Sequence, residues 1–202
     1  MRTWLLHPIV FYPLAALLAV LVIALSARPQ SWPRAPAPVS GQTAGSALVL
    51  TQVSFDAPTG DPDQNVYVTR NFLGQAQALR IAVQPNKNTP SAADRGVQIL
   101  LAPSTAAALA GRPATIVVTY NPLAVNAATG LAVSLEGAGP NVWVAQNAPP
   151  QHGALRFEVP AQAGVNAVGL RAISTNENQR EAYGLEITRI SITPHPQTTL
   201  AH

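Results

Sequence analysis

The chain has 202 residues, enough for one folded domain and an appendage. Its formal charge of +3 is uneven: Arg2, Arg28 and Arg34 stand in an N-terminal stretch without acids, whereas nine basic and nine acidic residues cancel from Ala47 onward. A neutral body has no field to hold a phosphate backbone, which argues against nucleic-acid binding, and a chain without cysteine has no disulfide, thiolate nucleophile or cysteine metal site.

The first element is an uncharged run of 19 residues, Ile9 to Ala27. As a helix it would rise about 28 Å, close to the ~30 Å of a bilayer's hydrocarbon core. The apolar region of a cleaved signal peptide is usually shorter, about 7–15 residues, and wants small residues before the cut. Ala24/Ser26 and Leu25/Ala27 are imperfect pairs, and proline follows closely. A cleaved signal and a buried core helix remain alternatives, but length and site favour a retained signal-anchor over residues 1–27. Trp4, Phe11 and Tyr12 suit a membrane–water interface. Ala15, Ala16 and Ala19 form a small-residue stripe on which another helix could pack, although alanine is common throughout this chain. The positive-inside comparison of Arg2 with Arg28 and Arg34 is nearly a tie. The β-rich body behind a spacer is what favours an extracytoplasmic location, in the periplasm of a bacterial inner-membrane protein.

Residues 28–46, rich in Pro, Ala, Ser and Gly, read as a linker. From Ala47 the apolar period becomes two. ALRIAV, GVQILL, ATIVVTY, LAVSLEG and ALRFEV each set one apolar face against a more polar one, as half-buried strands do. Turn chemistry separates them (PTGDPD, QPNKNTP, NAATG, EGAGPN, NAPPQHG). Nine or ten closely spaced strands predict an all-β antiparallel sandwich over residues 47–195, with a tail at 196–202. One short helix is expected at PSTAAALAG, capped by Ser104 or Thr105 and ended by Gly111. In YGLEITRISIT the apolar parity switches, so a bulge near Thr188–Arg189 would restore one face, and a strand buried on both faces would also fit.

The succession GRPATIVVTYNP, LAVSLEG, GALRFEVP, VGLRAIST, YGLEITRISIT resembles the jelly-roll sandwiches of galactose-binding-like and carbohydrate-binding-module-like domains over most of Leu48 to Pro194. The resemblance implies two antiparallel sheets face to face with the chain ends near each other. Sugar-binding members present several aromatic platforms. Here Phe55, Tyr120 and Phe157 have core parity, which leaves Trp143 as the main platform, provided Val142 and Val144 face the core. Asn141 beside it, and Asn176 and Arg180 in the polar loop STNENQREAYG, are further candidate contacts. Asp56, Asp61 and Asp63 crowd hard oxygens into one loop, a weak calcium alternative to a plain polar turn. The histidines are scattered and no nucleophile elbow occurs, so neither a catalytic constellation nor a cofactor is read. The first functional expectation is a non-catalytic single-pass membrane protein, in contact with lipid through residues 9–27. Its sandwich would serve as an accessory or scaffold subunit beside other membrane proteins. The second is a membrane-anchored carbohydrate-binding module for envelope polysaccharide.

Overall fold

The computed structural model describes residues 7–26, 34–83, 90–175 and 181–196. The chain divides into two compact units, Met1–Trp32 and Pro33–His202. The first holds one helix, α1 (Pro8–Ser26), which contains Pro13. Its large apolar side chains, among them Ile9, Leu14, Leu17, Leu21 and Ile23, are exposed, as are Ala15, Ala16 and Ala19. Among the described residues no helix is long and apolar enough to cross a membrane. The crossing expected at residues 9–27 is therefore not shown.

The second unit is a two-sheet antiparallel β-sandwich. Among the described residues it has eleven strands, one or two more than the alternation alone indicates. The larger sheet is organised by β11 (Tyr183–Pro194). One edge of β11 pairs from Leu185 to Pro194 with all of β6 (Ala114–Pro122), which pairs outward with β9 (Gly153–Val159). The other edge pairs first with β4 (Ala76–Val83) and then with β2 (Ala47–Thr51). β3 (Gln64–Arg70) lies outside β4, and β1 (Gln42–Ala44) outside β2. The smaller sheet runs β5 (Val97–Leu100), β10 (Ala167–Ile173), β7 (Gly130–Glu136), β8 (Val144–Asn147).

The expected bulge in the last strand exists: the register shifts between Ile187 and Arg189. One residue more on β11 than on β6 turns the following residues over, so Leu185, Ile187, Ile190 and Ile192 all reach the core. Phe55, Tyr120 and Phe157 are buried there too, as their parity implies.

Three local expectations change. The helix after β5, α2 (Pro103–Leu109), begins with proline at its first position and Ala102 as N-cap, without a side-chain cap from Ser104 or Thr105. Proline suits that position, because its missing donor falls where no intrahelical partner exists. Residues 34–46 do not form a mere linker. Val39 bridges Leu101, Gln42–Ala44 form β1, and Arg34 pairs with Asp56. Finally, β7 is buried on both faces rather than half-buried, and its neighbour β10 is buried on both faces as well.

Phe157→Ala should cost about 3–5 kcal/mol through the cavity it leaves. Val125→Ala, at a site 74% exposed, should stay within about 0.5 kcal/mol. Denaturant titration of the full chain in mild detergent, followed by circular dichroism, measures both.

Candidate functional site

The second buried face belongs to the small sheet. The core side chains of β7 and β10 are Leu131, Val133, Leu135, Val168, Leu170 and Ala172. The opposite parity carries Ser134, Glu136, Gly169 and Arg171, joined by Gln98 of β5. Gly169 stands opposite Gln98 on one side and Ser134 on the other, which makes one rung across three strands. This face is polar yet closed, because segments 59–64, 92–96 and 141–143 fold over it.

Gly169 makes the arrangement possible. A Cβ there would meet Glu136 Oε1 at 2.1 Å and Trp143 Cη2 at 3.0 Å. The missing side chain leaves a hollow that the Glu136 carboxylate fills. Across it the Gln98 amide donates to Glu136 Oε2, while Oε1 has no hydrogen-bond partner among the described residues. Burial raises the Glu136 carboxyl to about 7, with Asp61 adding to the rise; the Gln98 bond and Arg95 act the other way. Next along β10, Arg171 is 1% exposed. Its Nη1 donates to Asp61 Oδ2 at 3.2 Å and lies 3.6 Å from Asp94 Oδ2. A buried guanidinium is tolerable only when so compensated. Where β5 ends, Gln64 continues the ladder with its side chain. Its Oε1 accepts from Ala172 N at 2.9 Å and its Nε2 donates to Ala172 O at 3.4 Å.

Trp143 closes this face. It is half-buried rather than exposed, and the expected alternation of Val142 and Val144 against it does not hold. β8 begins only at Val144, which packs on the core, whereas Val142 precedes the strand and is exposed. Strand parity therefore does not extend back to the tryptophan. The indole edge rests over Gly169 and Gly96, where a Cβ would meet Cη2 at 2.7 Å. Its Nε1 donates to the Asp94 carbonyl at 3.3 Å. Asn141 clasps the same segment, with Nδ2 donating to Asp94 O at 2.7 Å and its backbone N–H to Ala92 O. Trp143 and Asn141 are thus brought together, at the rim of the buried polar row. Asn176 and Arg180 lie outside the described residues.

The calcium alternative does not assemble. Asp56 is held by Arg34 and Arg70, and Asp61 by Arg171 and the Asp63 backbone N–H. Among the described residues no three His, Asp or Glu side chains gather to hold a metal ion. Across the molecule, Thr115 Oγ1 meets His195 Nε2 at 2.7 Å, with Glu158 3.6 Å from the same nitrogen. Nucleophile activation needs the carboxylate on the other ring nitrogen, so this contact is no catalytic relay. A cleft of about 280 Å³ lies between the β1–β2 hairpin and α2, lined by Thr43, Leu48, Ser104, Thr105, Leu109 and Pro194.

The Glu136 carboxyl carries a pH signature. Its folded value near 7 exceeds the ordinary 4.5, so the folded state binds the proton more tightly. Between about pH 7 and 4.5, lowering the pH should stabilise the protein through this group, and above 7 its destabilising effect is complete. Thermal melts from pH 8 to 5.5 should show a rising midpoint, and Glu136→Gln should flatten that rise.

No protein-family model and no curated relative matches the sequence. Among solved structures the chain is similar to carbohydrate-binding modules. With BiXyn10A CBM1 in its apo form the identity is 12% and the TM-score 0.44, over 79% of this chain and all of that one. The tandem CBM22-1–CBM22-2 domain of Paenibacillus barcinonensis Xyn10C gives 15% and 0.46, over 80% of this chain and 50% of that one. The C-terminal family 22 carbohydrate-binding module of Clostridium thermocellum Xyn10B gives 15% and 0.42, over 72% and 92%. The sandwich itself rests on the strand registers of this chain.

Proposed function

We propose that the body is a non-catalytic binding module for an uncharged polyhydroxylated ligand, a polysaccharide of the cell envelope, held at a membrane through α1. The observation that carries the reading is the Gln98–Glu136–Trp143 group. Beneath the half-buried Trp143 it packs a buried amide and a carboxylate that fills the glycine hollow, so the rim formed by Trp143 and Asn141 is the part that a ligand can reach. Sugars offer hydroxyl donors beside apolar ring faces, and a site of this composition serves both. The charge balance of the body supports a neutral ligand over an ionic one. For the location, support comes from α1, whose described apolar side chains are exposed all round, a pattern met in lipid or in a buried core. An extracytoplasmic body on a bacterial inner membrane is the arrangement proposed. The exposed stripe of Ala15, Ala16 and Ala19 supports the alternative, an accessory subunit that packs against another membrane protein.

Native gels of the detergent-solubilised chain, cast with a panel of envelope and plant-type polysaccharides, test the binding reading. Retardation by at least one polymer is expected, with Gln98→Ala weakening it about tenfold and also lowering the melting midpoint, because the buried Glu136 carboxylate loses its donor. Free migration in every gel would sink the glycan reading. Co-migration with stoichiometric membrane proteins from native membranes would favour the accessory subunit.

A further inference from the structure

A second surface lies away from the polar row, where the 3-10 turn Gln52–Phe55 meets the β3–β4 hairpin turn. Val53 is 75% exposed, Phe72 82% and Leu73 56%. Both turns are firmly built. Gln52 has φ 42°, a left-handed conformation that a side chain rarely adopts, and beyond it Phe55 plunges into the core while Val53 stays outside. In the hairpin turn Asn71 Oδ1 accepts from the backbone N–H groups of Leu73 and Gln75, both at 3.0 Å. One guanidinium ties the two turns together: Arg70 donates to Gly74 O at 3.1 Å, to Asp56 O at 2.8 Å and to Asp56 Oδ1. Three large apolar side chains are thus held outward at one end of the body, beside a cleft of about 420 Å³ formed by residues 38–42 and 51–54.

We propose that this end, with Val53, Phe72 and Leu73, docks onto the surface of a lipid bilayer and places those side chains at the boundary between headgroups and acyl chains. The inference rests on the membrane reading of α1. Its occupant follows from chain continuity. Arg34 is ion-paired to Asp56, the carboxylate between the two turns, so the chain enters the body at this end. From Ser26, the last residue of α1, to Arg34 there are eight residue steps, which span at most about 28 Å. Charge does not oppose the contact, because Asp56 is neutralised by Arg34 and Arg70. Short apolar protrusions on rigid turns suit an interface, where they enter without ordering cost.

The lack of cysteine makes the test clean, since one introduced cysteine carries one label. Leu17→Cys in α1, Leu73→Cys in the hairpin turn and Val125→Cys receive an environment-sensitive fluorophore. Val125 follows Pro122, which pairs with Leu185 at the end of β4 opposite the hairpin, and it is 74% exposed. Each full-length protein is reconstituted into vesicles of zwitterionic lipid with a minority of anionic lipid, with and without brominated acyl chains. Quenching by bromine at positions 17 and 73, but not at 125, is the expected result. Adding Phe72→Asp should cut the quenching at 73 several-fold and leave that at 17 unchanged. Quenching at 17 alone overturns the docking and leaves the membrane reading intact. Quenching at neither 17 nor 73 removes the membrane reading itself. Equal quenching at 73 and 125 overturns a specific docking end, as does a label at 73 that is shielded from water but insensitive to bromine, which would mark a protein contact.

Discussion

The body depends on β11 serving two sheets' worth of pairing from one strand. Along one edge it is matched from Leu185 to Pro194 to all of β6, and along the other it hands over from β4 to β2. The handover coincides with the register shift at Thr188, and the coincidence is physical. Without the extra residue the second half of β11 would turn Ile190 and Ile192 to solvent while Leu185 and Ile187 stayed inside. With it, one continuous apolar face closes the sandwich. The seven-stranded sheet is in effect two shorter sheets spliced on one bulge.

The small sheet solves a different problem. Its outer face carries charge, and segments folding over it take that charge out of water. Arg171 is matched by Asp61 and Asp94, and Gln64 imitates a strand residue where β5 has ended. Thr59 also exchanges backbone hydrogen bonds with Gln98, so the free edge of β5 is occupied there by main chain rather than by water. Among the described residues, Glu136 Oε1 is the buried side-chain atom without a partner, and it is also where the glycine hollow lies. Buried networks of this kind favour a single arrangement over competing ones.

Period-two alternation carried the architecture in the sequence, down to the bulge between Ile187 and Arg189. It did so because the larger sheet has one wet face, and a wet face writes itself as polar residues at every second position. The candidate site was less legible for the same reason. Ser134 and Glu136 look like a solvent face by parity, and nothing local to LAVSLEG reports that residues 59–64 and 92–96 cover them. The available signals were Gly169 and Gly96, small residues where close approach is needed, but a glycine alone does not say what approaches. The alternation that would set Trp143 opposite Val142 and Val144 does not hold, since parity does not carry back across a segment that is not strand.

The segment from Arg34 to Val39 has a mechanical consequence. It is fastened to the body at the Arg34–Asp56 pair and at the bridge of Val39 with Leu101, both outside the spliced sheet. A pull arriving along the chain from its N-terminal side loads these fastenings one after the other, the ion pair first. Each release lengthens the slack by a few residues before any strand of the large sheet bears tension. Under such a pull the segment would peel before the core is loaded.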